Sequence, residues 1–478
     1  MGDSLAVMLL TLLLGCDQAP LVDKSLDLSP CHVPGLDVES LCGTLAVPED
    51  PTASAGETIS LRVLMVPAVS PNPEPDPLFF LAGGPGQAAS EVASTVMPAF
   101  DRIHKRRDLV FVDQRGTGES RPLRCPSVEH LTLTEQLALD PVEQAAACLA
   151  SLPADPRHYT TAIAMDDLDQ VRQALGYETI NLYGASYGTR AGLAYMRQHP
   201  QSVRTAILDG VAPLQMVLGL HFAEDGHAAL QAVFDDCAAD AGCSGAFPTL
   251  QADFESLMAS FPRSVTFEHA RTGEPSEMML DADMVAAGVR GQLYLPTFSS
   301  LLPLAIRDAT QGNFSPLMAQ TVGFSEGLSD SIYDGMQLAV LCAEDVPRLP
   351  ADTTPYTEGT FLGDAVIADL PAMCRGWPSS ASRPNADQPV RSEAPTLLLS
   401  GALDPVTPPR WAELAAETLP SSRHLIAPGA GHNVAPLGCV PRLMEEFLDA
   451  GSAAELDASC VDAITRPPFF IDFAGPNQ

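Results

Sequence analysis

The chain has 478 residues, enough to bury a large core, and a hydrophobic content of 46% excludes a disordered polypeptide. Sixty acidic residues stand against 26 basic ones, for a formal charge of −34, and the two lysines are Lys24 and Lys105. That balance argues against nucleic acid as a partner and reads as a solubilising surface.

The first element is an apolar run from Leu5 to Leu14, too short for a bilayer span of about 20 helical residues, ending in Leu13-Leu14-Gly15-Cys16. It resembles a bacterial lipoprotein signal, with Asp3 where a basic residue is usual. The resemblance implies removal of residues 1–15 and lipidation of Cys16. It also implies an exported protein held on the periplasmic or cell-surface side of a bacterial membrane by that lipid alone, with residues 16–30 as a tether. Ten of the 11 cysteines remain, and they fall into sequential neighbours: Cys31 and Cys42, Cys125 and Cys148, Cys237 and Cys243, Cys342 and Cys374, Cys439 and Cys460. An even set suits an oxidising compartment, and pairing of neighbours is the expectation, although spacing alone does not dictate connectivity.

From Gly43 strands and helices alternate. Thr44–Val47 and Ile59–Val66 read as opening strands, and Leu78–Leu81 as a third that runs into Gly83-Gly84-Pro85-Gly86. A helix from about Glu91 to Arg106 leads to strand Leu109–Val112, which ends at Asp113-Gln114-Arg115-Gly116-Thr117-Gly118. Met165–Leu175 has helical spacing, and the apolar run from Ile180 feeds Gly184-Ala185-Ser186-Tyr187-Gly188, with helix-compatible residues behind it. Arg204–Leu208 is a further strand ending at Asp209. Such alternation predicts a mostly parallel sheet covered on both faces, with residues 31–211 as its first part. Over 212–392 helical, proline-broken segments such as Ala228–Ala239, Gln251–Phe261 and Ile332–Leu341 predict a mainly helical cap. The core resumes over 393–478 with strand Pro395–Gly401, Asp404-Pro405-Val406-Thr407-Pro408, a strand near His424–Ala427, Gly431-His432 and a helix from Val440 to Leu448.

The strand, tight glycine-flanked serine and helix at 180–196 are the nucleophile elbow of an α/β-hydrolase fold. Ser186, Asp404 and His432 follow the acyl-hydrolase order, each just past an apolar strand: nucleophile, acid that orients the imidazole, and general base. Asp209 is the competing acid, read instead as a brace for the loop into the cap. Two backbone donors must hold the oxyanion. Tyr187 supplies one, and the glycine loop supplies the other through Gly84, because Pro85 has no N–H. Asp113 and Arg115 read as structural ties. No nucleotide, flavin or metal motif occurs, so no cofactor is expected.

Together Gly83–Gly86, Asp113–Gly118, the elbow, Leu341-Cys342-Ala343-Glu344-Asp345, Asp404–Pro408 and Gly431-His432 resemble the prolyl and tripeptidyl aminopeptidase branch of the α/β-hydrolases, with its TAP-like carboxy-terminal region. Ala82 stands where that family usually has a histidine before the glycine loop. The resemblance implies serine-dependent hydrolysis of peptides from a free amino terminus, with Glu344 and its neighbour Asp345 receiving the ammonium group. The same triad would serve a carboxylesterase, because the cap alone selects the acyl group, so that alternative stays open.

Overall fold

The computed structural model describes residues 26–53, 56–126, 139–268, 273–321, 331–380, 383 and 385–476. The signal-like run and Cys16 lie outside the described residues. Among the described residues, one sheet contains β1 (Ser29–Cys31), β2 (Ser40–Pro48), β3 (Thr58–Val66), β4 (Leu78–Leu81), β5 (Leu109–Val112), β6 (Ile180–Ala185) and β7 (Val203–Asp209). After an interruption for the cap it is completed by β10 (Thr396–Gly401) and β11 (Ser422–Ala427), in the order β1-β2-β3-β5-β4-β6-β7-β10-β11. The β1, β2, β3 and β5 neighbours pair antiparallel, and every pair from β5 onward is parallel.

The central strands read as unbroken apolar runs because both of their faces are buried. Alternate side chains then separate into two cores. Phe80, Phe111, Tyr183, Ile207 and Leu399 meet helices Ala89–His104 and Val440–Ala450 on one face. Phe79, Val110, Leu182, Leu208 and Leu398 meet helices Thr161–Ala174 and Tyr187–Gln198 on the other. Each such side chain contributes about 1.5–3 kcal/mol by leaving water. Helix Val440–Ala450 buries Val440, Leu443, Met444, Phe447 and Leu448, one helical stripe, and stops at Gly451 with φ +62°.

Two expectations change, for the tether and for the carboxy-terminal tail, and two elements are added. The tether does not extend to residue 30: Leu26 and Leu28 pack on the core, the Leu26 N–H donates to the Ala174 carbonyl at 3.2 Å, and β1 sets Ser29 opposite Cys42. A three-residue strand is too short for its alternation to register. Helix Pro141–Ser151 also escaped the pattern; Asp140 caps it by accepting from the Val142 and Glu143 N–H groups. Within the mainly helical cap, β8 (Arg263–Glu268) and β9 (Pro275–Leu280) pair antiparallel and turn Val265, Phe267, Met278 and Leu280 inward. Finally, the carboxy-terminal tail joins the cap rather than the sheet. Phe469 enters the cap core beside Val289 and Leu304, and the Phe470 N–H donates to Ser300 O at 3.1 Å.

All five neighbouring cysteine pairs are disulfides. Among the described residues no helix is long and apolar enough to cross a membrane.

Candidate active site

Strand β6 is buried from Ile180 to Gly184 and hands Ser186 to the turn at φ +56° and ψ −124°. That strained conformation lifts the side chain off the sheet edge. Both glycines of the elbow are required by close backbone approach. A Cβ on Gly184 would sit 2.3 Å from Gly188 O, and one on Gly188 would sit 2.1 Å from Leu81 O.

Asp404 and His432 arrive on the loops after β10 and β11. His432 Nδ1 lies 2.8 Å from Asp404 Oδ2. The other Asp404 oxygen accepts the Val406 and Thr407 N–H groups at 2.8 and 2.9 Å, and the Thr407 hydroxyl donates to Oδ2 at 2.8 Å. These bonds form an Asx turn, which is why Asp404-Pro405-Val406-Thr407 aims the carboxylate so tightly. Burial alone would lower the His432 pKa, but the Asp404 charge and hydrogen bond raise it above the ordinary value, with Asp209 adding and Arg290 opposing. Burial would raise the Asp404 pKa, and the imidazole with the turn N–H groups holds it below the usual carboxylate range.

The elbow and the imidazole meet at the end of β7. The Ser186 N–H donates to Asp209 O at 2.9 Å, and Asn433 Nδ2 donates to the same carbonyl at 3.0 Å. A Cβ on Gly210 would come within 3.1 Å of His432 Cε1. Among the described residues Ser186 Oγ and His432 share no hydrogen bond, a contact that commonly tightens only when substrate is held. Asp209 is fully buried, and its carboxylate accepts the Val434 N–H at 2.8 Å, the Ala435 N–H at 2.8 Å and the Tyr183 hydroxyl at 2.8 Å. It therefore braces the segment after His432 rather than the loop into the cap, because β7 lies between the elbow strand and β10.

The Tyr187 N–H opens helix Tyr187–Gln198 and has no acceptor within that helix. Of the glycine loop, Gly83 packs nearest the serine, where an added Cβ would sit 3.3 Å from Ser186 Cβ, but its N–H is engaged by Gln87 Oε1 at 3.2 Å. The Gly84 N–H meets no protein acceptor among the described residues. The Tyr187 and Gly84 N–H groups are thus both left without a protein acceptor among the described residues.

The acidic pair separates. Glu344 is partly exposed; its carboxylate accepts the Thr161 N–H at 2.7 Å and hydroxyl at 2.9 Å, and that hydroxyl is 2.7 Å from Tyr187 OH. Burial raises its pKa, Arg190 opposes and Asp345 adds. Asp345 is unavailable for substrate: it is fully buried, Arg190 Nη1 contacts both of its oxygens at 3.0 and 2.9 Å, and the Leu218 N–H donates to it at 2.8 Å. The expectation that it receives an ammonium group is corrected on that ground. Arg115 is a structural tie, bonded to Asp167 at 2.7 and 2.9 Å and to the carbonyls of Glu49 and His158. Asp113 accepts from the Ser90 N–H and hydroxyl, while burial pushes its pKa up to about 6.

Tyr294, at the end of cap helix Ala282–Leu293, was missed. Its carbonyl accepts the His432 N–H at 2.9 Å, and its ring meets the imidazole edge-on at 5.2 Å between centroids. The trace it leaves in the sequence is Gly431, where a Cβ would come within 2.3 Å of Tyr294 O.

Residues 76–259 match the alpha/beta hydrolase fold model and residues 360–460 match the TAP-like protein model. Serine protease Hip1 of Mycobacterium tuberculosis (strain ATCC 25618 / H37Rv) is 28% identical over 496 aligned positions, covering 92% of each chain. The putative hydrolase YuaR of Escherichia coli (strain K12) is 25% identical over 84% of this chain and 83% of its own. The tripeptidyl aminopeptidase of Streptomyces lividans is 30% identical over 189 positions, 36% of this chain and 35% of its own. With the sheet order, the elbow and these two matches in hand, the chain has an α/β-hydrolase fold and matches the TAP-like model toward its carboxy terminus.

Proposed function

We propose that the protein is a serine exopeptidase that cleaves peptides from a free amino terminus through an acyl-enzyme. The observation that carries this reading is the Asp404–His432 hydrogen bond of 2.8 Å on the loops beside the strained elbow that presents Ser186. Similarity over 92% of the chain to a protein named a serine protease, together with the TAP-like region, supports peptides as substrates.

With Nδ1 engaged by Asp404, His432 offers Nε2 to the Ser186 hydroxyl and takes its proton as Oγ attacks the scissile carbonyl. The developing oxyanion is received by the Tyr187 and Gly84 N–H groups. Collapse of the tetrahedral species breaks the C–N bond, and the imidazolium returns its proton to the leaving amine. Water then repeats the sequence on the acyl-serine. Glu344 is our candidate receptor for the substrate ammonium group: a partly enclosed carboxylate one hydroxyl removed from Tyr187 gains more from a cation than an exposed one does.

Chromogenic prolyl, alanyl and tripeptidyl amides, each with free and acetylated amino terminus, test the reading against S186A as blank. Cleavage limited to free termini is the expected result and identifies the register; hydrolysis of simple esters with none of the amides overturns it in favour of an esterase. Glu344→Gln should erode the preference for free over acetylated termini. We also read the protein as exported and lipidated at Cys16, a reading supported by its five disulfides and the signal-like run. Failure of a C16A variant to lose labelled fatty acid relative to the parent would remove the anchor.

A further inference from the structure

Arg290 lies on the cap helix Ala282–Leu293, one turn before Tyr294. Its guanidinium carbon is 4.6 Å from the Phe222 ring centroid and 5.5 Å from that of Tyr294, and Nη2 donates to Tyr294 OH at 3.2 Å. Two aromatic faces therefore hold the cation beside the ring that packs on the His432 imidazole. Its Nε is buried and bonds to nothing among the described residues. The fully buried arginines are matched by carboxylates, Arg107 by Asp76, Arg115 by Asp167 and Arg190 by Asp345, whereas Arg290 is half-buried. Among the described residues the half-buried Arg290 guanidinium pairs with no carboxylate, so its partly shielded charge is open to an anion that a ligand supplies. Its position says which part of a substrate that is. His432 passes its proton to the departing amine, so groups packed beyond the imidazole border the leaving side of the scissile bond.

We propose that Arg290 receives a carboxylate carried by the leaving portion of the substrate, close to the bond that is cut. For a peptide this is either the free carboxy terminus of a short substrate, one residue beyond the cut, or the side chain of an aspartate or glutamate at that position. The proposal rests on the acyl-transfer site described above and deepens its peptide reading. It implies a preference for the ends of small or acidic peptides over long neutral chains.

Three peptides identical up to the cut and continuing with alanine acid, alanine amide or aspartic acid amide separate the two sources. The wild-type enzyme should favour at least one carboxylate-bearing peptide over alanine amide by about tenfold in kcat/KM, the scale of a charge-assisted hydrogen bond. R290M should bring that ratio near unity, and R290K should retain part of it. A preference confined to alanine acid identifies short peptides, and one confined to the aspartyl peptide identifies an acidic side chain. The same ratio is read with 3-carboxyphenyl acetate against phenyl acetate, so the role of Arg290 is judged even if no peptide is cut, an outcome that overturns the peptidase reading separately. Because each ratio is internal to one preparation, a partly folded variant does not distort it. A wild-type ratio near one on every pair, or an undiminished preference in R290M, overturns the proposal.

Discussion

The sheet edge and the cap hold the same imidazole by different means. On the sheet side, His432 is tied by Asp404 and by the Asp209 carboxylate, which grips the backbone just beyond it, and most of these contacts end on main-chain N–H groups. On the cap side the partners are Tyr294 and, behind it, Arg290, held by ring contacts and a single carbonyl. Backbone-anchored carboxylates resist displacement and set proton-transfer geometry, whereas side chains stacked on a separate core can be exchanged without moving the elbow. Chemistry is therefore expected to fail with sheet-edge changes and selectivity with cap changes.

The largest expected effect breaks the sheet side. Asp404→Asn should lower kcat by about 10⁴-fold, because the wrong imidazole tautomer is then held; near-normal turnover would move the role to Asp209. Next comes the seam between the two regions. Asp345→Asn leaves Arg190 buried without its ion-pair partner and should cost about 3–5 kcal/mol in denaturant unfolding, much of it recovered in R190M/D345L. An unchanged midpoint for D345N would mean that the seam is not carried by this pair. Removing the Cys342–Cys374 disulfide, which spans 32 residues next to Glu344, should cost about 2–4 kcal/mol in the same measurement.

The smallest effect sharpens the cap side. The proposed base is the neutral form of His432, and its raised pKa means that kcat/KM is expected to fall as pH drops through a value above that of a free imidazole. The Arg290 charge opposes that rise, so R290M should move the acid limb of the profile to higher pH. A shift toward lower pH would place the guanidinium elsewhere.

Much of the sheet was legible because its strands are short apolar runs ending at chemistry-bearing turns. Leu78–Leu81 and Leu109–Val112 fall where their composition puts them, and the elbow, Asp404 and His432 each follow such a run. The cap was less legible. Its helix Ala282–Leu293 mixes small and polar residues, β8 and β9 are half exposed, and no local pattern announces which of its side chains reach the imidazole. Asp345 sits in the same motif as Glu344, yet one carboxylate is sealed against Arg190 and the other stays partly open. Neighbours on a helix point in different directions, and burial depends on what packs against each.

The sequence by itself determined the hydrolase fold class and the nominated serine, aspartate and histidine, and it supplied the neighbouring cysteines whose pairing the structure then settled. Each depends on local backbone geometry or on order along the chain. Tertiary structure alone decided that Asp209 braces the histidine segment and that residues 26–31 and 469–471 belong to the folded body. It also decided that Tyr294 and Arg290 come from the cap to the imidazole. Those outcomes depend on residues far apart in the chain meeting across packed surfaces, and periodicity and motif spacing carry no record of such meetings.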